Sequence, residues 1–161
     1  MTGLICCTLK CNMACQYCYE GNGRNLCAPN LAEINQKVED AIPLFIDLID
    51  QLYAHIQNTT IKGIWNGGEP MLIRPQLMEQ VMLNQLQKGH DIRWEMQSNG
   101  TLVTDEHIRV FQKYKVSVGV SIDGLKKHHD KYRIFKNGNP TYDVIMKNTQ
   151  RLRNSGISCG T

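Results

Sequence analysis

The sequence predicts an α/β fold built on a parallel sheet. Short apolar runs alternate along the 161 residues with longer segments in which apolar side chains recur at the helical period. A turn-forming or otherwise distinctive polar motif follows each of the first four apolar runs. Strands and helices that alternate in this way imply parallel strands joined by right-handed crossovers. We count about four strand–helix units and the start of a fifth strand.

The strands are predicted where the apolar runs are short and end at a turn. The first run leads directly into a cysteine-rich loop, and the third closes at Ser98-Asn99-Gly100, a strong turn signal. In chain order, the predicted strands are Leu4–Leu9, Ile61–Trp65, Ile92–Gln97, Val116–Ile122 and a fifth that begins at Ile157.

The helices are predicted where core-facing positions recur every three or four residues. Pro43 marks the first turn of the first helix or a break before it, and a second helix follows Pro75. Thr104 or Asp105 caps the third helix, and Gly156 ends the last one. The segment Gly21–Asn30 is predicted to be a loop. The positions that define the four helices are Leu44, Phe45, Leu48, Ile49, Leu52, Tyr53 and Ile56; Leu77, Val81 and Leu86; Ile108, Phe111 and Tyr114; and Tyr142, Ile145, Thr149 and Leu152.

Composition argues against several classes of function. Apolar residues make up 42% and charged residues 20% of the chain, which is typical of a globular domain. A formal net charge of +3 is too weak to indicate binding to nucleic acid or to an anionic membrane. No stretch approaches the roughly 20 apolar residues of a membrane span, and the N-terminus lacks the features of an export signal. We therefore expect a cytoplasmic protein whose seven cysteines are reduced and available to metals.

Three cysteines near the N-terminus are the most informative residues. Cys11, Cys15 and Cys18 are spaced C-x3-C-x2-C, close enough for one loop to wrap a single cluster. Cysteine thiolates are the usual ligands of iron–sulfur clusters, and a four-iron cluster normally takes four of them. Three ligands leave one iron open to a substrate or cofactor, which indicates catalysis rather than electron storage.

The spacing alone leaves other interpretations open. A zinc site would need a fourth ligand, which Cys6, Cys7 or Cys27 could supply. A non-catalytic electron carrier would also need a fourth cysteine ligand. Three thiols without any metal are a further alternative, because cysteine packs well as a small hydrophobe.

All of the distinctive motifs are predicted to lie on one side of the sheet. The cysteines follow the first strand, NGGEP the second, SNG the third and DG the fourth. Loops at the carboxyl ends of parallel strands gather on one face, where α/β proteins build their sites. The motifs should therefore converge on a single functional site.

The ordered motifs resemble those of the radical S-adenosylmethionine (radical SAM) enzymes. Within that superfamily they are most similar to the peptide- and protein-modifying branch that includes the anaerobic sulfatase-maturating enzymes. The resemblance runs along essentially the whole chain and favours the iron–sulfur interpretation of the cysteines. It rests on the cysteine triplet with Tyr17, on Gly67-Gly68-Glu69-Pro70, Gln97-Ser98-Asn99-Gly100-Thr101 and Val120-Ser121-Ile122-Asp123-Gly124, and on His129-Asp130 with Arg133.

The resemblance implies a site with two cofactors, a four-iron, four-sulfur (4Fe–4S) cluster and S-adenosylmethionine. Cys11, Cys15 and Cys18 would hold the cluster. The residues implied to bind S-adenosylmethionine are Tyr17, Gly67, Gly68, Glu69, Asn99, Ser121 and Arg133. Among them, Glu69 would accept hydrogen bonds from the cofactor ammonium, and the Arg133 fork suits a carboxylate. The resemblance assigns no catalytic acid or base.

The same resemblance implies an oxidoreductase whose fold is a partial (β/α) barrel similar to a TIM barrel. The substrate would be a peptide or protein, a small molecule being the alternative, and electrons would come from a reducing donor such as flavodoxin or ferredoxin. We expect residues 1–161 to be the N-terminal part of a radical SAM core. The rest of the barrel and any auxiliary-cluster domain would be absent from the chain.

Several of these residues also have simpler interpretations. Ser121 could face the core, and the basic residues around Arg133 would ordinarily form a solvated loop. His128 and His129 are expected to be surface or supporting residues rather than ligands. Trp65 is most simply a core residue.

Overall fold

The chain folds as a five-stranded sheet with helices joining successive strands. The computed structural model describes residues 2–19, 28–56 and 60–161, with side chains from residue 8 onward within those ranges. All four strand pairs are parallel, in the order β1-β2-β3-β4-β5. The strands are β1 (Thr2–Thr8), β2 (Ile61–Gly67), β3 (Ile92–Ser98), β4 (Ser117–Val120) and β5 (Cys159–Gly160). The helices are α1 (Leu31–His55), α2 (Pro75–Gln87), α3 (Asp105–Lys113), α4 (Lys126–Tyr132) and α5 (Tyr142–Asn154), and a short 3-10 turn spans Pro70–Leu72.

The predicted α/β class and parallel sheet are confirmed. Each strand pairs with the next in sequence, which is the order of a (β/α) barrel rather than of a doubly wound sheet. The predicted strands are found with small shifts at their ends, except that β4 is shorter, because Ser121 and Ile122 already lie in the irregular segment after it. Most of the predicted loop Gly21–Asn30 lies outside the described residues.

The two faces of the sheet differ in polarity. On one face the side chains of Trp65, Trp94, Met96, Val118 and Val120 are buried in the hydrophobic core beneath the helices. The opposite face carries polar side chains, among them the ion pair between Lys62 and Glu95. This alternation follows from the two-residue period of a strand. It leaves a polar surface that leads towards the carboxyl ends of the strands.

Helix α1 begins thirteen residues earlier than the apolar period from Leu44 predicted, so the interpretation of Pro43 was wrong. Pro43 lies inside the helix, where it removes one backbone hydrogen bond. Burial of Ile34, Val38 and Ile42, one helical turn apart, stabilises the first half. The Asn30 side chain caps the helix by accepting from the Glu33 amide.

The same stripe corrects the predicted face of α1. It continues from Ile42 through Phe45, Ile46 and Ile49, which pack against the core. Two of the leucines assigned to the buried face, Leu44 and Leu48, are exposed.

The other predicted helices are confirmed with one change of face. Thr104 caps α3, and Gly156 follows α5 with a φ of 74°, a conformation that favours glycine. In α2, Leu86 is exposed, and Met78, Met82 and Gln85 are buried instead.

Helix α4 was not predicted, because its sequence KKHHDKY has no apolar period. The basic stretch before Arg133 is therefore a helix and not the solvated loop that its charge indicated. Its one buried side chain is His129, whereas His128 is exposed.

Within the described part of the chain, no helix is long and apolar enough to cross a membrane.

His107 makes the stability of this fold depend on pH. Its imidazole is buried beside Phe111, and it completes a capping box with Thr104 at the start of α3. Burial lowers the pKa of His107 from 6.5 to about 4.

We expect the free energy of unfolding to fall as the pH decreases from 6.5 to about 4. In that window His107 is protonated in the unfolded chain but not in the folded chain, which lowers the free energy of unfolding by up to roughly 3 kcal/mol. Denaturant unfolding across this range should show the loss, and it should be smaller in His107→Asn. Replacement of the exposed His128 by Gln is the control, and an unchanged slope in His107→Asn would contradict the prediction.

Candidate functional site

The cysteine loop lies at the carboxyl ends of the strands and is held there by backbone hydrogen bonds to the last residue of α4 and the segment after it. The Ala14 amide donates to the Ile134 carbonyl at 2.8 Å, and the Gln16 amide donates to the Tyr132 carbonyl at 3.0 Å. Met13 forms an antiparallel bridge with Phe135 and is buried. The loop is therefore fixed by a contact between positions more than a hundred residues apart.

A second contact ties the loop to the turn after β2. The Gly68 amide donates to the Thr8 carbonyl at 2.7 Å, and the Glu69 amide donates to the Lys10 carbonyl at 2.9 Å. A Cβ on Gly67 would lie 2.2 Å from the Thr8 carbonyl oxygen, and one on Gly68 would lie 2.3 Å from that of Lys10. Both glycines are required because the chain's own backbone passes directly against them.

Glu69 lies behind this contact and is fully buried. Its Oε1 accepts from the Met71 amide at 2.9 Å and the Ser98 hydroxyl at 2.8 Å, and its Oε2 accepts from the Asn99 amide at 2.7 Å. Burial raises the pKa of this carboxyl, and the three donors act against that shift. One carboxylate thus joins the turns that follow β2 and β3.

Asn99 connects the third strand to the cysteines. Its amide Nδ2 donates to Asn12 Oδ1 at 2.9 Å and lies 3.7 Å from Cys11 Sγ, while its Oδ1 accepts from the Thr101 amide at 2.9 Å. The Asn12 amide donates in turn to the Thr101 hydroxyl at 2.8 Å. The Met13 amide also points at Cys11 Sγ, at 3.4 Å. Cys11 therefore has two N–H donors, which would stabilise a thiolate.

These elements enclose one cavity of about 150 Å³. The structure brings together nine of the ten predicted site residues on its wall; the tenth, Glu69, is not on the wall. Its predicted bond to the cofactor ammonium stays a prediction. The cavity is lined by Cys11, Met13, Cys15, Tyr17, Cys18, Tyr19, Asn66, Gly67, Gly68, Gln97, Ser98, Asn99, Ser121 and Arg133.

The three cysteine side chains suit an iron–sulfur cluster chemically. They are free thiols on the wall of a single cavity. Burial raises the pKa of Cys11 to about 11 and raises that of Cys15, so a bound cation is needed to keep them as thiolates. Among the described residues, however, no three His, Cys, Asp or Glu side chains lie close enough together to hold a single metal ion.

The opposite wall is organised around the Tyr17 hydroxyl. It donates to Asp123 Oδ2 and accepts from Arg133 Nη1 at 3.1 Å. Burial and the bond to Asp123 raise the Tyr17 pKa. The side-chain amide of Gln97, on β3, donates to Ser121 Oγ at 3.0 Å. Ser121 thus lies on the cavity wall and not in the core.

Sequence reasoning missed several residues of the site. Asn66 and Gln97 line the cavity, and their positions beside the glycine pair and at the start of QSNGT were the available signals. Asp123 belongs to a motif that carries the resemblance but was not predicted as a site residue, and its contact with Tyr17 has no local signal. Asn12 was not predicted as a site residue, although it bonds to Asn99 and Thr101.

The remaining cysteines have no assigned place in the cavity. Cys159 is a half-buried strand residue of β5 that packs against the core. Cys6 and Cys7 belong to β1, but their side chains, like the whole of Cys27, lie outside the described residues.

Comparison with known proteins agrees with the resemblance seen in the motifs. The family model of the radical SAM superfamily matches residues 5–161. A serine-type anaerobic sulfatase-maturating enzyme of Bacteroides thetaiotaomicron is 33% identical over 154 residues, which covers 91% of this chain and 35% of that protein. A cysteine-type enzyme of Clostridium novyi is 28% identical over 150 residues, covering 89% and 37%. The chain therefore spans little more than a third of the length of these relatives.

A solved structure confirms the fold class. Native anSMEcpe with bound AdoMet and Cp18Cys peptide superposes with a TM-score of 0.73 at 20% identity, covering 98% of this chain and 41% of that one. The five strands thus correspond to part of a partial (β/α) barrel. Enzymes of the radical SAM superfamily use a 4Fe–4S cluster and S-adenosylmethionine, which are the two cofactors that the sequence predicted.

We expect Glu69→Gln to destabilise the fold by about 2–4 kcal/mol. The amide nitrogen of glutamine would face an N–H or O–H donor in a buried site, so at least one donor would lose its partner. Denaturant unfolding would measure the change, with Glu33→Gln on the exposed side of α1 as the control. Wild-type stability of Glu69→Gln would contradict the structural role assigned to this carboxylate.

Proposed function

The chain belongs to the radical SAM superfamily, and we propose that it forms the N-terminal part of the catalytic core of an enzyme that modifies a peptide or protein. One observation carries this proposal. The cysteine triplet and the motifs after β2, β3 and β4, which are separate in sequence, line the same cavity.

In this proposal, Cys11, Cys15 and Cys18 hold a 4Fe–4S cluster. The Met13 amide and the Asn99 side chain point at the Cys11 sulfur and would stabilise its thiolate. Together the cluster and S-adenosylmethionine would supply a one-electron cleavage that yields a carbon radical able to remove hydrogen from a substrate. The electron would come from a reducing donor such as flavodoxin or ferredoxin.

The rest of the cavity wall is proposed to bind S-adenosylmethionine. Arg133 offers a guanidinium fork for the carboxylate, Ser121 a hydroxyl for the ribose and Tyr17 a ring for the adenine. The backbone at Gly67 and Gly68 lines the cavity beside them.

A peptide or protein substrate is proposed from two observations. Anaerobic sulfatase-maturating enzymes are similar to this chain in sequence, and the superposed anSMEcpe structure contains a peptide. The polar face of the sheet leads from the cavity along Gln97 and Glu95 and offers the hydrogen-bonding groups that such a substrate needs. Because the chain spans 35% of its Bacteroides relative, residues beyond this part of the core are proposed to complete the site.

We expect the anaerobically reconstituted chain to bind one oxygen-sensitive cluster. Replacement of Cys11, Cys15 or Cys18 by alanine should remove most of the iron, because each supplies a ligand that no other residue is expected to replace. Iron and sulfide analysis with visible absorption measures the loss, and Cys159→Ala is the matched control. If Cys27→Ala alone abolished the cluster, a four-ligand electron carrier would replace the proposal.

S-adenosylmethionine should change the electron paramagnetic resonance spectrum of the reduced cluster. Arg133→Ala should raise the S-adenosylmethionine concentration that gives half of this response by roughly tenfold to a hundredfold, because a charge-assisted bond to the carboxylate is lost. Iron content should stay at the wild-type level. Lys127→Ala, an exposed cation on the helix before Arg133, is the control. No spectral response in cluster-loaded wild-type protein would reject the assignment of the cofactor.

A further inference from the structure

A buried histidine outside the cavity is connected to two residues of the cavity mouth. His129 is fully buried in the last turn of α4, and its ring packs in a T-shaped arrangement with that of Tyr142. The Asp123 amide donates to its Nδ1 at 3.2 Å, and its Nε2 lies 3.0 Å from the hydroxyl of Thr141. That hydroxyl donates to the Arg133 carbonyl at 2.6 Å.

The chemistry of the partners fixes the protonation of this ring. A backbone amide only donates, so Nδ1 must be unprotonated. A backbone carbonyl only accepts, so the single hydroxyl proton of Thr141 goes to Arg133, and its oxygen must accept from Nε2–H. His129 is therefore neutral, with its proton on Nε2 and both nitrogens satisfied.

Two chains of hydrogen bonds thus join the same pair of residues. One runs through the backbone of Asp123, the His129 ring, the Thr141 hydroxyl and the backbone of Arg133. The other runs through their side chains, with the Tyr17 hydroxyl bound to Asp123 and Arg133 at the cavity. The two chains therefore close a ring of hydrogen bonds between Asp123 and Arg133.

We infer that His129 is a positioning residue, which fixes the spacing of Asp123 and Arg133 and thereby places the Arg133 guanidinium and the Tyr17 ring on the cavity wall. The inference rests on the proposed function in so far as that wall binds S-adenosylmethionine. Among the described residues, His129 is not on the cavity wall, and it acts through Arg133 and Tyr17, which are.

The groups around His129 favour its neutral form. Burial and the nearby positive charge of Arg133 lower its pKa, while Asp123 and Asp130 act in the opposite direction. Asp130 is occupied by the amides of Thr141 and Tyr142, at 3.0 and 2.9 Å, and so caps α5. The bond from the Thr141 amide to Asp130 holds Thr141 in place independently of its contact with His129.

Replacement of Thr141 offers a matched pair of variants. Thr141→Val keeps the shape and removes the hydroxyl, whereas Thr141→Ser keeps the hydroxyl. We expect Thr141→Val to weaken S-adenosylmethionine binding about tenfold at unchanged iron content and Thr141→Ser to change it less than about twofold. Equilibrium binding to the reconstituted chain measures both.

A double-mutant cycle separates positioning from general destabilisation. In an Arg133→Ala background, Thr141→Val should have a much smaller effect on binding, because the guanidinium that it positions is gone and only the Tyr17 ring remains. Wild-type affinity in Thr141→Val, or an equal loss in both backgrounds, would overturn the inference.

A spectroscopic arm requires no cofactor. The proton–nitrogen NMR correlation spectrum of the histidine rings in the wild-type chain should show His129 with its proton on Nε2, and Thr141→Val should shift the signals of the Arg133 side chain and the Tyr17 ring. The other tautomer, or unshifted signals, would overturn the inference. If the wild-type chain does not bind S-adenosylmethionine, the proposed function fails, and this arm still decides the positioning role.

Two variants of His129 replace Thr141→Val if that variant does not fold. His129→Gln keeps a donor for Thr141, and His129→Asn keeps an acceptor for Asp123. Unshifted Arg133 and Tyr17 signals in both would overturn the inference.

Discussion

Glu69 places a carboxylate where its side chain is inaccessible to water, and three donors from two turns converge on it. A buried charge of this kind is stable only where its oxygens are fully hydrogen-bonded. The backbone of Glu69 also holds the cysteine loop at Lys10, and the Asn99 amide that it binds belongs to the residue that reaches Cys11. The positions of the three motifs relative to one another therefore depend on this one group.

The two sides of the cavity are built in different ways. The side formed by β2 and β3 is fixed by the sheet and by Glu69. The side that carries Arg133 follows α4, a seven-residue helix without an apolar face, which hydrophobic burial cannot hold in place. Hydrogen bonds take over that task through His129, Asp130 and Thr141. A polar network in which every member is satisfied specifies a single arrangement, because any displacement leaves a buried group without a partner.

Much of the fold and the location of the site could be predicted because they depend on local patterns. Turn motifs after apolar runs gave the strands, and the geometry of a parallel sheet brings the carboxyl ends of those strands together. The first half of α1 escaped prediction because its buried stripe, Ile34, Val38 and Ile42, is only one residue wide among polar neighbours. Helix α4 escaped because its core contact is a histidine. The Tyr17–Asp123 bond joins positions 106 residues apart, and a single sequence carries no local signal for such a pair.

The electrostatics of the cavity agree with a zwitterionic ligand. Among the described residues that line it, Arg133 is the one cation, and the Glu69 carboxylate lies behind the opposite wall. The positive charge of Arg133 lowers the pKa of Glu69 and of Cys15, against the larger effect of burial. The Glu69 carboxylate accepts three hydrogen bonds from its own turns and carries a negative charge behind that wall. A ligand with a carboxylate near Arg133 and an ammonium towards Gly68 would be oriented by this field, and S-adenosylmethionine carries both groups.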